Sequence, residues 1–239
     1  MKKILLTAGS SFSYERTVSE DDPGANADFP KWPKILSEKL NFELINKSKP
    51  GASNLYIYDH LMENIIQNQN NIGLVVAAWS YGFKTSIFRN YELNFINVED
   101  QDMSDVSLNS TGELFRTKIV NNGLLVSAIE QTLRLMIYLQ DTCDSKNIKC
   151  VHYPLLNIFK TGLDNPNHVD FLETIIQLDS YKIVSSFNNV IGWPCDNYLG
   201  GSTYRTAHPE LIVSNKDRHP NQQGQNIIAH EIYDKYLKL

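Results

Sequence analysis

The feature that most limits what this chain can become is a repeated alternation of short apolar runs with amphipathic segments. A first run, beginning at Ile4 and Leu5, stops at Gly9; a second covers Phe42–Ile45; a third, Gly73–Ala78, is apolar almost throughout. Between them Trp32–Leu40 places Trp32, Ile35, Leu36 and Leu40 on one helical face, with Pro33 acceptable in a first turn. Leu55–Gln67 spaces Leu55, Tyr58, Leu61, Met62 and Ile65 by three and four. Strands that are apolar on both faces and separated by helices imply a parallel sheet covered on both sides.

The same rhythm resumes later. Leu124–Leu139 is the strongest helix, Ile148–Tyr153 a fourth strand, Val169–Leu178 an amphipathic helix, and Lys182–Pro194 contains room for a short strand. A terminal helix runs through Ile232, Tyr233 and Tyr236. The expectation is one α/β domain over residues 1–239, in three layers around a parallel sheet of about five strands. Residues 85–115, mixed aromatic and acidic with no helical period, read as an insertion acting as a lid or an interaction surface.

Composition narrows the function classes. No Pro/Gly/Ser-rich linker divides the 239 residues, and a 42% hydrophobic content supplies a sizeable core. No apolar run is long enough to span a membrane, and the opening one is too short for a signal-peptide core, so a cytoplasmic protein without membrane association is expected. Cys143, Cys150 and Cys195 form no CxxC pattern, so neither a disulfide framework, a metal site nor any other cofactor is expected. A net charge of −5 argues against nucleic-acid binding. Nothing in the sequence specifies an oligomeric state.

Chemistry enters at Gly9-Ser10-Ser11, where small hydroxyl residues follow a strand at the end where open α/β sheets bind ligands. A serine hydroxyl is a poor nucleophile without a base in hydrogen-bond reach, and the base needs an acceptor that fixes its tautomer. Of the six histidines, His219 has the right neighbours: Asp217 just upstream, Pro220 stiffening the backbone, and Asn221 to Gly224 leading into the last helix. Taken singly, each residue has an ordinary structural use. Ser11 suits a turn, His219 and Asp217 suit a helix start, Gly51 a backbone turn and Ser53 or Asn54 a cap.

Together they form a pattern. Gly9-Ser10-Ser11 after the first strand, Pro50-Gly51-Ala52-Ser53-Asn54 after the second, Ala77-Ala78-Trp79-Ser80 after the third and Asp217-Arg218-His219-Pro220-Asn221 before the last helix stand in the order of the four sequence blocks of SGNH, or GDSL-type, serine hydrolases. The chain resembles that family, in the divergent form common in phage-like and environmental sequences. The resemblance implies a flavodoxin-like sheet, Ser11 as nucleophile, His219 as general base and Asp217 as its orienting carboxylate. It also implies an oxyanion hole from the backbone N–H groups of Ser11 and Gly51, with Ser80 standing where the family has an asparagine.

Three departures accompany it. Ser10 replaces an aspartate, Asp217 precedes His219 by two residues rather than three, and Trp79-Ser80 replaces the third block. One weakened oxyanion donor costs about 10² to 10³ in rate. The reading is therefore a hydrolase of a small-molecule or glycan ester, with a short acetyl group on a carbohydrate as the expected substrate. A catalytically weak carbohydrate-binding or virion-assembly module on the same fold is the second reading, and a flavodoxin-like anion binder without a GxGxxG or GK[ST] pattern ranks last.

Overall fold

Alternation of side chains along the strands divides the interior in two. The protein's structure, a computed structural model, is described for residues 2–19, 22–80, 86–89, 92–95, 123–155, 168–193 and 208–239. On β1 (Ile4–Ala8), Ile4, Leu6 and Ala8 face one core while Leu5 faces the other. On β3 (Ile72–Ala78), Val75 and Ala77 join the first core; Leu74, Val76 and Ala78 join Leu5. With both faces buried, each such Leu or Val contributes about 1.5–3 kcal/mol.

Helices close both faces. α1 (Trp32–Leu40) brings Trp32 and Leu36 onto the Leu5 side, and α6 (Gln222–Tyr236) brings Ile228, Ala229 and Ile232 beside them. The opposite face is covered by Ile57, Leu61 and Ile65 of α2 (Asn54–Asn68) and by Ile129, Leu133 and Met136 of α3 (Gly123–Ser145). Local signals set the helix ends: Asn41, at φ 54°, ends α1, and the Ser53 hydroxyl caps α2 by accepting from the Tyr56 N–H. This is the expected three-layer α/β arrangement.

The strand order is β2–β1–β3–β6, all parallel, where β2 is Glu43–Asn46 and β6 is Cys150–Tyr153. From β1 the chain builds outward to β2 and then, on the other side, to β3. The order therefore reverses between β1 and β3, and open sheets bind ligands in the crevice beyond the strand ends at such a point. Ser11 follows β1 there, and Ser80 follows β3.

Among the described residues four strands form the sheet, where about five were expected. The segment 182–194 supplies only an isolated parallel bridge, with the His152 N–H bonded to Asn189 O and the Ile191 N–H to His152 O. Residues 182–185 instead end α5 (Asp179–Ser185), where Tyr181, Val184 and Phe187 recur at helical spacing and pack against the core, and 186–193 run on in turns and bends. α5 is preceded by α4 (His168–Gln177). Leu55, expected on the buried face of α2, is exposed, and Ile57 takes its place. Of the 85–115 insertion, an antiparallel hairpin of β4 (Ser86–Arg89) and β5 (Glu92–Phe95) is described. The remainder, with Cys195 and Gly200-Gly201, lies outside the described residues.

Candidate active site

The turn after β1 starts at a glycine for steric reasons. A Cβ at position 9 would lie 2.5 Å from Ser13 Oγ and 2.8 Å from Ala78 Cβ. The Ser13 N–H closes the turn on Ser10 O at 3.0 Å. Three distant elements then hold it: Trp32 Nε1–H donates to Ser13 Oγ (3.0 Å), Asn46 Nδ2 to Ser13 O (2.9 Å) and Gln225 Nε2 to Phe12 O (3.2 Å). Ser10 and Ser13 are buried while Ser11 is half-buried, so Ser11 is the hydroxyl this turn presents.

The partner loop is built just as tightly. A 3₁₀ turn at Pro209–Leu211 is followed by an antiparallel bridge between Ile212 and Pro220, and the Val213 N–H bonds His219 O. Asn221 caps α6 by accepting from the Gly224 N–H, and its amide donates back to Glu210 O and Ile212 O. The loop thereby becomes a rigid arch over the sheet edge.

Across the gap the expected residues meet. Ser11 Oγ lies 2.8 Å from His219 Nε2, and His219 Nδ1 lies 2.6 Å from Asp217 Oδ1. An ionised carboxylate only accepts, so Nδ1 carries the proton and Nε2 is left to receive that of Ser11. The two-residue spacing has a use. It lets Asp217 Oδ1 accept the His219 backbone N–H (3.0 Å) as well as the ring N–H, fixing ring and backbone together. Phe12 meets the imidazole edge-on, with centroids 5.2 Å apart.

Asp217 is fully buried. Burial opposes its ionisation, but hydrogen bonds from the His219 ring, the Ser19 side chain and the His219 backbone hold its carboxyl well below the usual carboxylate range. Arg16 adds a contact in which a single nitrogen, Nη2, is shared between both oxygens, at 2.9 Å from Oδ2 and 3.1 Å from Oδ1.

Donors for a developing negative charge are also present. Among the described residues, neither the Ser11 nor the Gly51 backbone N–H has a hydrogen-bond partner. Gly51 sits at φ +73°, a conformation that suits glycine, and the Lys49 N–H bonds Gly9 O, tying this loop to the serine turn. Ser80 is different. Its N–H donates to Asn54 Oδ1 (2.8 Å) and its carbonyl accepts from Asn54 Nδ2 (3.2 Å), which also donates to Thr132 Oγ1. Only the Ser80 hydroxyl is left, buried and without a partner among the described residues.

The other histidines have other settings. His152 is completely buried: Trp79 Nε1–H donates to its Nδ1 (3.1 Å), so Nε2 carries the proton and donates to Gln140 Oε1 (3.1 Å). Burial alone pushes it down to about 3. His60 lies near Glu63, His208 near Glu210 and His230 near Lys39. His168 begins α4, with its side chain outside the described residues. Trp79 is core rather than pocket wall, and Trp193 is half-buried with its N–H on Ser185. Cys143 and Cys150 are buried free thiols, and the described residues contain no cluster suited to a metal ion.

Sequence reasoning missed Arg16, Ser19, Lys31 and the anchors Trp32, Asn46 and Gln225. One signal was available: Arg16 is the first basic residue after the serine turn, beside Glu15 in an otherwise acidic tract. For the anchors the sequence carries no comparable mark.

No protein-family model and no curated protein sequence matches the chain. Solved structures do. A psychrotrophic esterase from Pseudoalteromonas sp. superposes with a TM-score of 0.51 at 15% identity, covering 99% of this chain and 97% of its own. A lipolytic protein of the G-D-S-L family from Desulfitobacterium hafniense DCB-2 gives a TM-score of 0.51 at 14% identity, with 98% and 99% covered. An acetylxylan esterase from Geobacillus stearothermophilus, solved as a catalytic mutant, gives 0.51 at 13% identity, with 98% and 94% covered. Over nearly its whole length, therefore, the chain has the α/β fold of SGNH/GDSL-type esterases.

Proposed function

We propose that the protein is a serine hydrolase that cleaves a short acyl ester, with an acetyl group on a carbohydrate as its substrate class. The observation that carries this reading is the unbroken line Ser11–His219–Asp217, with contacts of 2.8 and 2.6 Å. In this mechanism Ser11 Oγ attacks the acyl carbon as its proton passes to His219 Nε2, and Asp217 stabilises the imidazolium. The oxyanion is received by the N–H groups of Ser11 and Gly51 and by the Ser80 hydroxyl. The proton then goes to the leaving alkoxide, the alcohol departs, and water, deprotonated by His219, releases the acid.

Support for a carbohydrate comes from the surroundings. A cleft of about 490 Å³ is lined by Asn26, Phe29, Asn221, Gln222, Gln223 and Asn226. Amides beside one aromatic ring, without a charged side chain, suit a neutral polyhydroxylated ligand. Asn221 is two residues from His219, so the cleft begins within about 7 Å of it along the chain. The structural neighbours include an acetylxylan esterase.

The test is labelling by a fluorophosphonate probe, alongside p-nitrophenyl acetate hydrolysis, for the wild type and Ser11→Ala. Labelling and turnover confined to the wild type are expected. Equal labelling of both proteins, or of neither, overturns the reading. A weak binding module is the second reading, favoured by the occupied Ser80 N–H, which leaves one hydroxyl where an amide would stand. It predicts glycan binding without Ser11-dependent turnover.

A further inference from the structure

The proposed triad does not by itself require Arg16. This residue stands in the segment after the serine turn, yet its guanidinium meets both oxygens of Asp217, with the two side chains 12% and 0% exposed. Ser19, three residues further on, hydrogen-bonds the same carboxylate. Lys31, just before α1, adds a second cation. It is buried, its Nζ donates to Ala27 O at 2.7 Å, and it interacts electrostatically with Arg16 and Asp217, and with Asp28 and Glu15. Asp217 is thus gripped from both sides, by His219 on its own loop and by the segment that also carries the nucleophile.

A triad carboxylate has two tasks, orienting the imidazole ring and stabilising the imidazolium with its charge. A guanidinium on the far side helps the first, because a nitrogen shared between both oxygens, with the Ser19 bond beside it, restrains how the carboxylate can turn. It opposes the second, because it offsets the negative charge that the imidazolium feels. The geometry points to Arg16 as a positioning residue that locks Asp217 against His219 and tempers its charge, so that the imidazolium passes its proton on to the leaving alkoxide more readily. This rests on the hydrolase reading of the site. The groups facing His219 are Asp217 on its own loop and Ser11 and Phe12 of the serine turn; those facing Asp217 are Arg16, Ser19 and Lys31.

The test compares wild type, Arg16→Met and Arg16→Lys by NMR of the His219 ring across pH and by the rate of Ser11 phosphonylation across pH, with thermal melts as a folding control. In R16M the His219 ring signal is expected to titrate at higher pH, the acid limb of the labelling profile to move the same way, and the plateau rate to fall by up to about a hundredfold. R16K keeps the charge but not the planar, fixed donor geometry of the guanidinium. It is expected to restore the limb while recovering only part of the rate. Should R16M not fold, Arg16→Gln, which keeps donors without charge, takes its place. An unchanged His219 titration and rate in the uncharged variant overturns the assignment, as does R16K matching R16M. If the wild type shows no labelling while the ring titration still moves, the hydrolase reading fails and the control of His219 by Arg16 stands.

Discussion

His219 and His152 both have two hydrogen-bond partners within about 3 Å, and the contrast between them shows what makes an imidazole a base. His219 lies between a carboxylate and a half-buried hydroxyl, at the sheet edge where the strand order reverses. His152 lies inside the sheet between an indole N–H and an amide, and Gln140 passes the network on to Asn189, which bonds Cys150 O. The first setting favours a cation that forms and discharges. The second favours a neutral ring at any pH near 7, since nothing around it compensates the charge. Each ring has two close partners, with the Cys150 sulfur 3.7 Å from His152 Nε2 besides; what separates the two rings is the charge and accessibility of those partners.

The sharpest way to break this contrast is His219→Asn, which should reduce esterase turnover by about 10³-fold or more and leave the melting temperature within a few degrees. Turnover close to wild type in that variant would place the chemistry elsewhere. Next, His152→Leu should leave the rate per folded molecule within a few-fold but lose about 2–4 kcal/mol of stability in urea titrations, because the buried Trp79 N–H loses its acceptor and Gln140 Oε1 keeps only its bond from Asn189. The pH dependence has a definite sign. His152 takes up its proton at about 3 when folded and near 6.5 when unfolded, so its contribution is complete above 6.5 and is lost progressively as pH falls toward 3. The leucine variant should show a shallower loss of stability over that window.

A smaller effect tests the gap in the proposed oxyanion site. If the Ser80 hydroxyl receives the oxyanion, Ser80→Ala lowers kcat by up to about a hundredfold without lowering stability, since that hydroxyl makes no hydrogen bond among the described residues. An unchanged kcat makes Ser80 a bystander. Smallest of all is Lys31. Burial, with Arg16 nearby, lowers it to about 8 from 10.5, so the fold pays for its charge below 8 and is relieved as pH rises toward 10.5. Lys31→Met should therefore gain least relative to wild type at pH 10, read as the difference in melting temperature between pH 7 and pH 10.

What was legible in the sequence follows from what is periodic or locally patterned. Buried parallel strands are apolar on both faces, so Leu5–Leu6 and Leu74–Ala78 announced themselves, and the order of Ser11, Gly51, Asp217 and His219 named a constellation that the fold brings together. The fifth strand failed because Val190 makes a single bridge, too little backbone pairing to leave a pattern. Arg16 and Ser19 escaped because a loop side chain chooses its partner by three-dimensional proximity, across 201 residues in the case of Arg16 and Asp217. A cap was legible at Ser53 or Asn54; the structure gives it to Ser53, while the Asn54 amide clamps both backbone groups of Ser80 in a way no local pattern marks.

The distance along the chain between Ser11 and His219, 208 residues, also bears on when the protein becomes competent. The turn that presents the serine leans on Gln225, which belongs to the last helix. During synthesis, β1 and its neighbours emerge long before the residues that supply the proposed base and brace the turn. Contacts of such sequence separation form late, because loop closure must precede them. A nascent or refolding chain therefore acquires its sheet first and its reactivity last, and phosphonate labelling would report completion of the fold rather than its onset.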